Sequence, residues 1–221
     1  MINASFAEWL NTAFGGFDRA ILSAYHSLSA PLLTFIAAFF TLIGEKGLLG
    51  FLLGGVLLLF RQTRKCGATV IGAIGFGAVF TNFILKDLIA RPRPFLSSAE
   101  FFEWWQAVGS HAEDGFSFPS GHVTAAMAAA TALWLCLGKK WIAPAAAYVA
   151  LMAFSRNYLM AHYPTDVIAA CLVGGVSAVL AFAAVKYIWS FLEKKQRIKL
   201  LRFALEFDIR SLFRKKESNE E

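Results

Sequence analysis

From Gly67 to Ile89 the chain is apolar for long enough to cross a lipid bilayer as a helix, and this removes most ways of folding it. Hydrocarbon offers no water to backbone N–H and C=O groups, so only helices and closed barrels can span it. A bilayer core of about 30 Å takes roughly 20 apolar residues in helix. Five further apolar segments follow the same logic: Ala30–Ile43, Gly47–Phe60, Pro119–Leu137, Trp141–Met160 and Thr165–Ile188. Together they predict six spans, the first two short. A barrel needs strands of about 10 residues with alternating polarity, and Gly47–Phe60 does not alternate. With 57% hydrophobic and only 16% charged residues, the chain has too little polar surface to coat a soluble globule. Its three Cys do not make a disulfide framework and are expected to be free. The fold class expected is all-α, a polytopic membrane protein.

The ends read differently. Ile2, Phe6, Trp9, Leu10, Phe14, Phe17 and Ile21 recur at helical spacing, which suits an interfacial helix. The first residues do not read as a signal peptide, because Glu8 comes early and no apolar core precedes a cleavage site. Lys186–Lys216 reads as a basic amphipathic segment with Leu192, Ile198, Leu201 and Leu205 among its apolar positions, and Arg214–Glu221 as a charged end. The expected division is a membrane domain over 1–190 and a basic tail over 191–221. Arg61, Arg64, Lys65, Lys139, Lys140, the basic tail and Arg19 fall on one side of the six-span layout, which the positive-inside rule makes cytoplasmic. Both termini are therefore expected inside, in the plasma membrane. The charge of +6 is a topology and anionic-lipid signal, not one for nucleic acid.

Charged groups near a membrane are costly, so the remaining ones carry information. Lys86 ends the third span, with Arg91, Pro92, Arg93 and Pro94 just after it. The prolines stop the helix and bias Arg91 and Arg93 toward extended backbone. Pro119-Ser120-Gly121-His122 opens the fourth span. Proline suits a first helical position, so the Ser120 and Gly121 amides are expected as unpaired donors at an anion-binding helix start. Between spans five and six, Ser155-Arg156 precedes His162, and Pro164 should open a helix with Asp166 in its first turn. A carboxylate there could take the imidazole N–H of His162 and leave the other nitrogen free as nucleophile or base. Each cluster alone has a plainer reading, as dipole complement, helix start or helix cap. On one membrane face, however, Lys86, Arg93 and Arg156 repel one another unless an anion joins them.

These three clusters resemble the signature of the type 2 phosphatidic acid phosphatase family: Lys-x6-Arg-Pro from Lys86 to Pro94, Pro-Ser-Gly-His from Pro119 to His122, and Ser-Arg-x5-His-x3-Asp from Ser155 to Asp166. Spacing and residue types match throughout. The resemblance implies a cofactor-free, metal-independent phosphatase acting on a lipid phosphate or pyrophosphate through a phosphohistidine. His162 would attack phosphorus, with Asp166 orienting it. His122 would serve as general acid and then general base. Lys86, Arg93, Ser120, Gly121 and Arg156 would hold the phosphoryl oxygens.

The site is expected on the outer face, with undecaprenyl pyrophosphate as substrate. Phosphatidylglycerophosphate, phosphatidic acid and lipid A are the alternatives, as is transfer to an acceptor lipid instead of water. An anion transporter and a metal site built from His122, His162 and Asp166 are further readings. Phe101, Phe102, Trp104 and Trp105, in the loop 95–118, read either as an interfacial aromatic anchor or as a lid over the site.

Overall fold

The computed structural model describes residues 2–111, 113–195 and 205–211. These form α1 (Ile2–Ser27), α2 (Pro31–Ile43), α3 (Leu48–Leu58), α4 (Arg64–Ala78), α5 (Lys86–Ile89), α6 (Pro94–Ser97), α7 (Ala99–Ala107), α8 (Gly121–Leu137), α9 (Ile142–Tyr158) and α10 (Pro164–Lys194). Among the described residues there is no strand, and the all-helical expectation holds. A π-helical stretch, Val79–Leu85, joins α4 to α5. Its wider turns reset the angular phase of α5 relative to α4. Phe83 is left facing outward while Lys86 lines a cavity inside. Helix α10 runs through the expected boundary at residue 190 to Lys194. Most of the basic tail, with Ile198, Leu201 and the charged end 214–221, lies outside the described residues.

Helices α4, α8 and α10 pack against one another at the centre, with α3 against α4 and α9 against α8. Small residues permit this closeness. A Cβ on Gly174 would fall 2.6 Å from the Thr124 carbonyl oxygen, and one on Gly67 2.5 Å from that of Gly54. Gly50 and Gly54 seat α3 on Ile74 and Ile71, so this glycine pair works within the chain. An apolar cluster that includes Val70, Ala73, Ile74, Ala128, Ala132, Leu133 and Ala178 fills the bundle. The three cysteines are free.

Two expectations are not confirmed. The first is the pair of short spans at Ala30–Ile43 and Gly47–Phe60. Helix α2 has 13 residues, about 20 Å at 1.5 Å per residue, and both its ends meet the last two turns of α9. The Ala30 amide and the Thr34 hydroxyl lie 3.0 Å from the Tyr158 hydroxyl. Thr41 bonds Ser155 at 2.6 Å, and Gly44 abuts Met152. Over Met152 to Tyr158, α9 rises only about 9 Å, so α2 crosses it obliquely instead of running its length. A 3₁₀ turn at Glu45–Gly47, with Lys46 at φ 50° and Gly47 at φ 74°, then redirects the chain into α3. Pro31–Leu58 is thus one bent segment of 28 residues; it, Arg64–Ser97 and Pro164–Lys194 are long and apolar enough to cross a bilayer.

The second concerns the ends. The six-span layout puts Arg19 beside Arg61, Arg64 and Lys65, yet α1 packs on α5, α9 and α10 at the opposite end of the bundle. There Arg19 pairs with Glu100 at 2.8 Å, and Asp18 pairs with Arg91 at 2.7 Å. Residues 205–211 sit at the other end, where Arg64 donates to the Leu205 carbonyl at 3.0 Å and the Arg61 amide to Asp208. The bend is the physical reason that the two short segments run on as one: Pro31–Leu58 starts beside the end of α9 and leads to the end of the bundle where Arg61 and Arg64 lie. On α1, Leu10 and Leu22 are buried against the bundle, while Trp9, Phe14 and Phe17 stay exposed.

Candidate active site

Arg91, Arg93 and Arg156 are among the largest fully buried side chains of the protein, and all three lie at the α1 end of the bundle. Burial of a guanidinium is tolerated only with partners in place. Ala90, at φ 51°, ends α5, and Arg93 follows in extended backbone as the residue before Pro94 opens α6. Arg93 donates to the carbonyls of Gly115 (3.0 Å), Ala161 (3.0 Å) and Asp114 (2.7 Å). It thereby clamps two loops, and its Nη1 reaches to 3.4 Å from His162 Nε2. Arg156, in the last turn of α9, bonds Thr41 at 3.0 Å and the carboxylate of Glu113. Among the described residues its Nε has no hydrogen-bond partner.

Helix α8 starts two residues later than the sequence places it, at Gly121 instead of Pro119. Ser120 is the cap, in extended backbone, and its carbonyl accepts the first helical bond from Thr124 at 2.9 Å. Pro119 therefore precedes the helix, and the Ser120 amide points to the Asp166 carbonyl at 3.4 Å instead of standing free. The group without a partner among the described residues is the Ser120 hydroxyl, fully buried. Gly121 and His122 occupy the first turn, where backbone amides have no helical acceptor. His122 Nε2 lies 3.2 Å from Glu45.

Pro164 opens α10, as its spacing predicts, and Asp166 lies in the first turn. His162 precedes it in a segment whose backbone is bent by Met160 at φ 55°. His162 Nδ1 is 2.7 Å from the Ser117 carbonyl oxygen, but 3.7 Å from Asp166 Oδ2. A carbonyl only accepts, so Nδ1 carries the proton and Nε2 is the lone-pair nitrogen. The direct carboxylate contact expected from the sequence is replaced by an indirect one. Asp166 accepts from the Ser117 hydroxyl, from the Tyr163 amide at 2.9 Å, and from Arg91 Nη1 at 2.7 Å. Arg91 in turn bonds Asp18 and Thr165, and its guanidinium lies 3.8 Å from the centre of the Tyr163 ring.

A cavity of about 560 Å³ brings these elements together, lined by Lys86, Arg93, Glu113, Gly121, His122 and His162 among others. Ser120, Arg156 and Asp166 are buried residues outside that lining. Burial, then the charges of Arg93 and Arg156, hold the His162 imidazole well below its ordinary 6.5. A ring kept neutral with one fixed tautomer is a nucleophile or base. As pH falls through 6.5, the ¹⁵N signals of His162 are expected to stay those of a neutral ring. Because the unfolded chain takes up that proton first, the same group is expected to destabilise the fold as pH drops below 6.5. Signals switching to imidazolium near 6.5 would contradict the first expectation.

The PAP2 superfamily family model matches residues 67–190, more than half of the chain. This chain is a member of the PAP2 superfamily. It is 33% identical over 120 residues to an undecaprenyl-diphosphatase of Sulfolobus acidocaldarius, covering 54% of this chain but only 55% of that one. Against a phosphatidylglycerophosphatase B of Haemophilus influenzae it is 29% identical over 196 residues, 77% of each chain. The solved structure of a PAP2-type phosphatidylglycerolphosphate phosphatase from Bacillus subtilis superposes with a TM-score of 0.59. That match is 26% identical and covers 88% of this chain and 94% of that one.

Several residues of this PAP2 chain's site gave no signal in the sequence. Asp18, Glu45, Thr41 and Ser117 come from α1, the 3₁₀ turn, α2 and the loop before α8, and no spacing ties them to the motifs. The aromatic residues after Phe95 do not line the cavity. Trp104 is buried and stacks on His26, while Trp105 stacks on Phe95 and donates to the His111 carbonyl at 3.0 Å. They pack α7 onto α1 and tether the loop carrying Glu113; only Phe102 of the four is exposed as an anchor would be. Among the described residues no three His, Cys, Asp or Glu side chains are grouped for a metal ion. Asp166 has both oxygens committed to Arg91, Ser117 and Tyr163.

Proposed function

We propose that this protein is an integral membrane lipid phosphatase working through a phosphohistidine on His162. The observation that carries the reading is His162 itself, with Nδ1 pinned to a carbonyl and Nε2 directed to Arg93 beside the cavity. Nε2 attacks phosphorus, and the bond to the lipid's oxygen breaks as His122 delivers a proton to it. Water then attacks the phosphohistidine, with His122 as base, and inorganic phosphate leaves. Lys86, Arg93, Arg156, the Ser120 hydroxyl and the Gly121 amide hold the phosphoryl oxygens, the main catalytic task in phosphoryl transfer. Asp166 positions His162 through Ser117. Neither metal nor cofactor enters these steps.

The site faces outward in this reading, because Arg61, Arg64, Lys65, Lys139 and Lys140 collect at the opposite end. The apolar cluster through α4, α8 and α10 fills the bundle toward that basic end, which favours hydrolysis over anion passage. Undecaprenyl pyrophosphate is the substrate proposed, in keeping with the name of the Sulfolobus relative. The longer match to a phosphatidylglycerophosphatase B makes phosphatidylglycerophosphate the rival.

Purified protein in detergent with a chelator is expected to release phosphate fastest from undecaprenyl pyrophosphate. Faster release from phosphatidylglycerophosphate would name the rival. Phosphate appearing only on an acceptor lipid, never free, would make the protein a phosphotransferase.

A further inference from the structure

The cations of the site already have an anion, and the chain supplies it. One carboxylate oxygen of Glu113 pairs with Arg156, and the other lies 3.5 Å from Arg93. These are two of the groups assigned above to the phosphoryl oxygens, and Glu113 lines the same cavity as Lys86, His122 and His162. Burial alone would raise its carboxyl, but the guanidinium groups of Arg156 and Arg93 outweigh that and hold it at about 2. The pairing therefore favours the charged carboxylate. Its loop is fastened through the backbone, since Arg93 takes the carbonyls of Asp114 and Gly115. The side chain is 19% exposed, at the edge of the site. The contacts that fasten the loop do not involve the carboxylate, so displacing the side chain leaves them in place.

We infer that Glu113 is a specificity residue: a tethered carboxylate that keeps phosphodiesters out of the pocket and yields to a terminal phosphate. The inference rests on the phosphatase reading above. A phosphodiester carries one negative charge and two free oxygens, the same as a carboxylate. It gains nothing by replacing a group already attached to the pocket, whose effective concentration is on the order of millimolar or more. A terminal phosphate carries roughly −1.5 to −2 charges at neutral pH and three acceptor oxygens, so it exceeds what Glu113 offers to Arg93 and Arg156. The distinction matters at a membrane surface, where ordinary phospholipids are phosphodiesters in large excess over any phosphomonoester or diphosphate.

Phosphate release by the full-length protein in neutral detergent tests this, with phosphatidylglycerol added at rising mole fraction. In wild type, KM for the lipid phosphate should be insensitive to the diester. In Glu113→Gln, KM without diester is expected to fall about tenfold, the scale of one charge-assisted contact no longer displaced. It should then climb as phosphatidylglycerol is added, in competitive fashion. Glu113→Asp, which keeps the charge, should retain most of the wild-type insensitivity. An unchanged or higher KM in Glu113→Gln, or an identical diester response in both proteins, would overturn the inference. If the variant binds without turning over, inorganic phosphate is the probe: tighter binding than wild type supports it and equal binding overturns it. Failure of the phosphatase reading would look different, because wild type itself would release no phosphate from any lipid.

Discussion

Replacing His162 with Ala is expected to lower kcat by about 10⁴–10⁶-fold, the scale seen when a nucleophile acting as part of a unit is removed. His122 lies at the other side of the proposed reaction, against Glu45 at 3.2 Å. The fold should survive, since the substitution leaves one buried carbonyl, Ser117, without its imidazole donor, at a cost of about 1–3 kcal/mol. Phosphate binding should survive too, because Lys86, Arg93 and Arg156 remain. Comparing turnover with inorganic phosphate affinity in the same preparation checks the expectation. Turnover within tenfold of wild type would exclude His162 as nucleophile.

The second large effect is expected at Arg91, which touches no proposed substrate position. Its guanidinium pairs with two buried carboxylates, Asp18 on α1 and Asp166 on α10, each at 2.7 Å. Arg91→Ala leaves both charges buried without that partner. Breaking buried pairs in this way costs about 3–5 kcal/mol. The protein should lose thermal stability as α1 loosens from the site. Arg91→Lys is the more informative variant, because an ammonium keeps the charge but cannot make the forked contacts to Asp166, Asp18, Thr165 and Asn11 together. Asp166 is then less well placed behind Ser117 and His162. A misplacement of about 1 Å near the reacting atoms costs on the order of a hundredfold. The expectation is therefore kcat down about a hundredfold with KM nearly unchanged. A fall in stability with kcat intact would make Arg91 a structural residue only.

How much of this was legible in the sequence depends on where each interaction comes from. Lys86, Arg93, His122, Arg156, His162 and Asp166 stand at fixed offsets from prolines and helix ends, so their common end of the bundle followed from helix geometry. The groups that sit between them did not. Glu113 and Ser117 lie in a loop whose path is set by Arg93 and Trp105, and Asp18 arrives from the N-terminal helix. Partner choice of that kind is tertiary, and a single sequence carries no trace of it. The count of six spans is not confirmed for a related reason. An apolar run shows that a segment can enter a membrane but not that it bends, and the bend at Glu45–Gly47 rests on two left-handed residues, one of them Lys46. The start of α8 shifted by two residues, because Ser120 caps the helix and Gly121, not Pro119, is its first residue. That small shift changes which group of Ser120 is free to bind.

The central claim is a covalent one, so the most direct measurement is to trap the intermediate. Wild-type protein mixed briefly with lipid substrate labelled in its terminal phosphate, then quenched in base, should carry the label. The phosphoryl group should be acid-labile and should map to the peptide containing His162. Label on His122 or on a carboxylate, or turnover with no labelled protein at any time point, would contradict the account.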